Sequence, residues 1–123
     1  FEGVRYVNSN VSFAQAMDSD ARGWDIITDS FEREGREMNN PEIANINYVR
    51  GVVHALLAVQ AIQHAQEMGM DPSDGSNIRE ALFDMDDFDA WGLLPETYDY
   101  QSGDRRPTMS GQTYVVENGE MTN

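Results

Sequence analysis

The sequence predicts a mixed α/β fold, and three observations carry that prediction. A long apolar stretch at 45–69 repeats with the period of a helix. Short alternating segments stand near both ends of the chain. Two further helical patterns lie on either side of the long one, giving the order strand, helix, helix, helix, then strands.

Residues 1–8 alternate as a strand does, with Phe1, Val4 and Tyr6 on one side. A polar turn follows over 8–12, where Asn10-Val11-Ser12 matches a glycosylation triplet that is frequent by chance. A helix is expected over 18–38, capped by Asp18, Ser19 or Asp20, with Trp24, Ile27 and Phe31 buried. Asn39-Asn40-Pro41 stops it.

The stretch at 45–69 organises the rest. Tyr48, Val49, Val52, Val53, Leu56 and Leu57 recur at three- and four-residue steps, and alanines 55, 58, 61 and 65 favour the helix. Gly69 suits the left-handed exit. At about 1.5 Å per residue the helix is roughly 33 Å long. So apolar a helix needs partners on more than one side. A turn over 71–75, a short helix capped by Ser76, a strand at 97–100 and a turn at Ser102, Gly103 and Asp104 come next. Gln112–Glu117 reads as the best strand, and Asn118-Gly119 as a tight turn.

The 123 residues suit one domain, although the start at Phe1 with a strand following at once suggests a fragment. An upstream signal sequence is left open. No run reaches the length of a membrane span, and without cysteine there is neither a disulfide nor a thiolate metal site. The net charge of −14 argues against nucleic-acid binding, which needs basic surface. All 8 basic residues are arginine, and an acid-rich, lysine-free surface suits a high-salt environment.

The motifs favour plain structural roles. His54 and His64 lie ten residues apart on the helix, about 280° around its axis, and cannot chelate one ion from one face. The acidic run 84–89 resembles a calcium loop at first sight. It has Asp89 where glycine is needed and Pro95 where a bidentate Glu belongs, so a solvated loop is expected. No nucleophile elbow or phosphate-cradling loop is present, and nothing supports catalysis, a metal or a cofactor.

The order of motifs resembles the C-terminal third of the type I periplasmic binding proteins, the branched-chain amino-acid and amide family of ABC transporters. The residues that carry the likeness begin with Phe1-Glu2-Gly3-Val4 as a late strand and the helix around Trp24 and Phe31. Tyr48-Val49-Arg50-Gly51 opens the long helix. The run from Gly75 to Leu82 is like the family's helix of glycine, isoleucine, arginine and alanine-leucine, and Trp91-Gly92-Leu93-Leu94-Pro95 follows. Tyr98 to Arg105 with Tyr114 to Gly119 resembles the closing strand.

That resemblance implies part of a two-lobe fold of doubly wound sheets with flanking helices, residues 1–123 supplying portions of both lobes. It also implies a solute-binding component of an importer, periplasmic or extracytoplasmic, that captures an amino acid, amide or similar small polar metabolite. The closed form would be delivered to a membrane permease. The alternative is a ligand-sensing regulatory protein of the same fold. Asn45, Asn47 and Tyr48 would face the ligand. Asn45 stands where branched-chain binders usually have an aromatic, which favours an amide or urea-like group or a capping role. Trp91 would lie near a hinge. The main ligand-binding residues would fall before Phe1, so the 123 residues alone are expected to bind weakly or not at all.

Overall fold

The computed structural model describes residues 2–101, 111–118 and 120–122, with the backbone alone for Tyr6, Gln112 and 120–122. The fold is mixed α/β: β1 (Arg5–Asn8), α1 (Phe13–Met17), α2 (Arg22–Arg33), α3 (Ile46–Glu67), α4 (Gly75–Asp84), β2 (Gln112–Glu117) and β3 (Glu120–Thr122). The turn at Ser102, Gly103 and Asp104, with Arg105, Phe1 and Gly119, lies outside the described residues.

The three strands form one sheet in the order β1-β2-β3, and both pairings are antiparallel. Tyr6 stands opposite Tyr114 and Asn8 opposite Gln112, so the start of the chain pairs with its far end. Tyr114 is fully buried and Asn8 nearly so, whereas Val7 between them is 69 % exposed. The sheet therefore has one covered face and one open face. Asn118 takes a positive φ of 55°, as a tight turn after β2 requires.

The helix expected over 18–38 is the shorter α2, Arg22–Arg33, and a separate helix that was not expected, α1, stands before it. Ser12 caps α1 through a capping box, its Oγ accepting from the Gln15 N–H at 3.1 Å while Gln15 Oε1 accepts from the Ser12 N–H at 2.9 Å. Five residues are too few to show a period, which is why α1 left no pattern in the sequence. Asp18 closes α1, and Ala21, without a side-chain cap, opens α2. None of Asp18, Ser19 and Asp20 caps α2. Ser19 instead bridges the two helices, donating to Ala16 O at 2.8 Å and accepting from the Ala21 N–H at 3.3 Å. Gly35, at φ 61°, follows the end of α2 at Arg33, short of Met38.

Gly23, Ile27 and Phe31 form the buried stripe of α2, and Trp24 packs edge-on to Phe13 at 5.2 Å. A Cβ on Gly23 would lie 2.4 Å from Leu93 Cγ, so the helix and the loop after α4 approach as closely as glycine allows. α3 buries Val49, Val53 and Leu56 in the main core and Ala61 and Ala65 beside α4, whose Ala81 is also buried. Small side chains let these two helices close up. A third strip of α3 stays open, with Val59 49 % and Ile62 40 % exposed.

Asp74, not Ser76, caps α4, its carboxylate accepting from the Ser76 N–H at 2.8 Å and from the Ser76 hydroxyl at 2.7 Å. Beyond α4 the acidic run divides by residue. Asp86, Asp87 and Asp89 are exposed, while Met85, Phe88 and Ala90 enter the core. The strand expected at 97–100 is a single antiparallel bridge between Phe88 and Tyr98.

Candidate functional site

The residues expected at the site all lie at the start of α3, and the structure separates them. Asn45 is its N-cap: Oδ1 accepts from the Asn47 N–H at 2.9 Å, and Nδ2 donates to Pro41 O at 3.3 Å and Glu42 O at 2.9 Å. Both ends of this amide are occupied by backbone, so Asn45 holds the capping role and is not free to meet a ligand. Asn45 therefore lends no support to an amide or urea-like ligand.

Asn47 and Tyr48 line a groove of about 530 Å³ between α2 and α3. Ile26 and Ser30 enter from α2, and Val52, Ala55 and Val59 continue the wall along α3. Tyr48 is fixed in two ways. Its ring meets Phe31 edge-on at 4.7 Å, and its hydroxyl hydrogen-bonds the Ser30 hydroxyl at 2.7 Å. Where Gly51 borders the groove, a Cβ would meet no atom within 4 Å, so the missing side chain widens it. The groove thus has apolar walls and a polar end made by Ser30, Tyr48 and Asn47. Of its lining residues Tyr48 alone is titratable. Such a surface binds and orients; it offers no proton-transfer pair.

Other polar groups tie elements together. His64 Nε2 lies 3.0 Å from Asp84 Oδ2 and Nδ1 lies 3.7 Å from Glu67 Oε2, which links α3 to the end of α4. His54 is one of the residues around a separate, smaller cavity. Among the described residues no group of three or more His, Cys, Asp or Glu side chains could hold a metal ion. Asn10, in the glycosylation triplet, is only 7 % exposed and Ser12 is engaged in its cap, so that triplet is not presented to solvent. Trp91 has a positive φ of 53°, its ring stacked by the Arg22 guanidinium at 3.8 Å.

Ile26 and Ser30 were invisible as site residues in the sequence, because they only become neighbours of Tyr48 when α2 crosses α3. Ser30, polar beside the buried Phe31, was the available signal. No family model matches this chain, and no curated protein or solved structure matches it.

Proposed function

We propose that this chain captures a small molecule without covalent chemistry and is part of a solute-binding component of an ABC importer. The ligand is an aliphatic amino acid, its amide or a similar metabolite with an apolar body and one polar end. The observation that carries this reading is the groove between α2 and α3. Its size falls within the range of roughly 300–1,000 Å³ usual for small-molecule sites, and its few polar groups are gathered at one end. The two-lobe, doubly wound architecture, the extracytoplasmic location and the permease partner rest on the order of motifs set out above.

The experiment is calorimetric titration with a panel of aliphatic amino acids and their amides, on the native chain and on Gly51→Leu. Leucine is a better helix former than glycine, and a Cβ at this position meets no atom within 4 Å, so the variant places a side chain at the groove with its helix propensity raised. The resemblance alone would leave these 123 residues with little or no affinity, but every residue lining the groove is present here, so weak saturable binding by the native chain, lost in a Gly51→Leu variant of equal or higher stability, is expected. No binding across the panel, or equal binding by both chains, overturns the proposal.

A further inference from the structure

On the side of α3 away from Tyr48's hydroxyl partner, a partly open cavity of about 190 Å³ is bordered by the turn after β1, the middle of α3 and the loop after α4. That is space for roughly six waters at about 30 Å³ each. Arg50 borders it and is held by two side-chain amides. Its Nη2 donates to Asn8 Oδ1 at 3.1 Å and its Nη1 to Asn47 Oδ1 at 3.4 Å. Arg50 itself is exposed, and its bond to the buried Asn8 ties one edge of the guanidinium to the covered face of the sheet. Of the five donors on a guanidinium, three remain.

No described carboxylate lies within ion-pair distance of Arg50, although the chain carries 22 acidic residues. A second donor faces the same space. Asn10 is 7 % exposed and borders the cavity; its Oδ1 accepts from the Ser9 hydroxyl at 3.2 Å, while its Nδ2 donates to no described residue. Those N–H groups reach the cavity's solvent and are available to an acceptor placed there. His54, one turn beyond Arg50, borders the cavity too. The remaining wall is apolar, including Leu57, Phe88 and Leu94.

We infer that this cavity binds a short aliphatic carboxylate, its charge on Arg50 and Asn10 and its hydrocarbon against Leu57 and Phe88. Planar bidentate pairing with a carboxylate is what a pre-positioned guanidinium does best, and the apolar wall selects against small inorganic anions. This site is a separate cavity from the α2–α3 groove, touching it only through Asn47, and does not rest on the transport reading.

The test titrates the 123-residue chain with sodium 3-methylbutanoate at constant ionic strength, following the side-chain amide resonance of Asn10 and the backbone amide of His54. The uncharged isostere 3-methylbutanamide is titrated in parallel. Saturable shifts at both positions are expected with the carboxylate, and at least tenfold weaker binding with the amide. Arg50→Gln weakens carboxylate binding at least tenfold, and Arg50→Lys, which keeps the charge but loses the fork, falls between. Leu57→Trp, which fills the cavity from a half-buried wall position, abolishes the shifts. Equal affinity for acid and amide by the native chain overturns the proposal whether or not the Arg50 variants fold. Shifts confined to Tyr48 and Val52 also overturn it, and leave the groove reading standing.

Discussion

Single residues in this chain carry costs that the sequence hides. Tyr98 is 7 % exposed, and its hydroxyl has no hydrogen-bond partner among the described residues. Burial first, then the nearby Glu96 charge and Tyr100, pushes its phenol from 10.0 up to about 12. The folded chain thus keeps a proton that the unfolded chain loses, and stability falls as pH rises from 10 towards 12. Tyr98→Phe removes an unpaired buried hydroxyl and should raise stability by about 1 kcal/mol at neutral pH. It should also flatten the alkaline loss; urea unfolding at pH 7 and pH 11 measures both. Gly23→Ala should cost about 1–3 kcal/mol by forcing Leu93 aside, read from the same unfolding curves. Neither effect was legible beforehand. Tyr98 sat in an expected strand and Gly23 in an expected helix, and only the crossing of α2 with the loop at 88–100 gives them their surroundings. Arg50 was closer to legible, as the lone arginine in the apolar stretch 45–69.

At the scale of elements, period was a good guide and termini were not. α3 and β2 fall where their patterns place them, because each is long enough for many residues to agree. Caps were misplaced by two residues at α4 and by one to three at α2, and α1 with its cap was not anticipated, since a capping side chain competes with its neighbours on geometry that spacing does not specify. The Asn45 cap is testable as such. Asn45→Ala should lower stability by about 1 kcal/mol and leave ligand affinity unchanged, whereas a ligand contact would show the reverse. Asp74 should behave as a pH-sensitive cap. Its hydrogen bonds from Ser76 hold the carboxyl below its ordinary 3.8, so the cap is intact above that value and weakens as pH falls through the lowered pKa. The Ser76 amide resonance, followed from pH 6 to pH 2, reports that loss.

The molecule as a whole is set by two facts of composition and topology. β1 pairs with β2 across most of the chain, a non-local pairing whose loop-closure entropy weighs against rapid sheet formation. That pairing left no trace in the sequence, where the ends read simply as strands. The net charge of −14 works against compaction at low ionic strength. Screening by multimolar salt should therefore raise the unfolding midpoint, and equal stability at low and high salt would remove the argument for a high-salt environment. The open strip of α3 and the groove beside it belong to this scale too, because they exist only where the helix has been covered on two sides and left bare on the third.

The central claim is that the α2–α3 groove receives a small molecule. The most direct measurement is isotope-edited NOE spectroscopy on the chain with ¹³C-labelled leucinamide. The account predicts contacts from the leucinamide methyl groups to the methyls of Val52 and Val59, and from its amide end to Tyr48 and Ser30. Contacts to other surfaces alone, or none under conditions that saturate any binding, would contradict it.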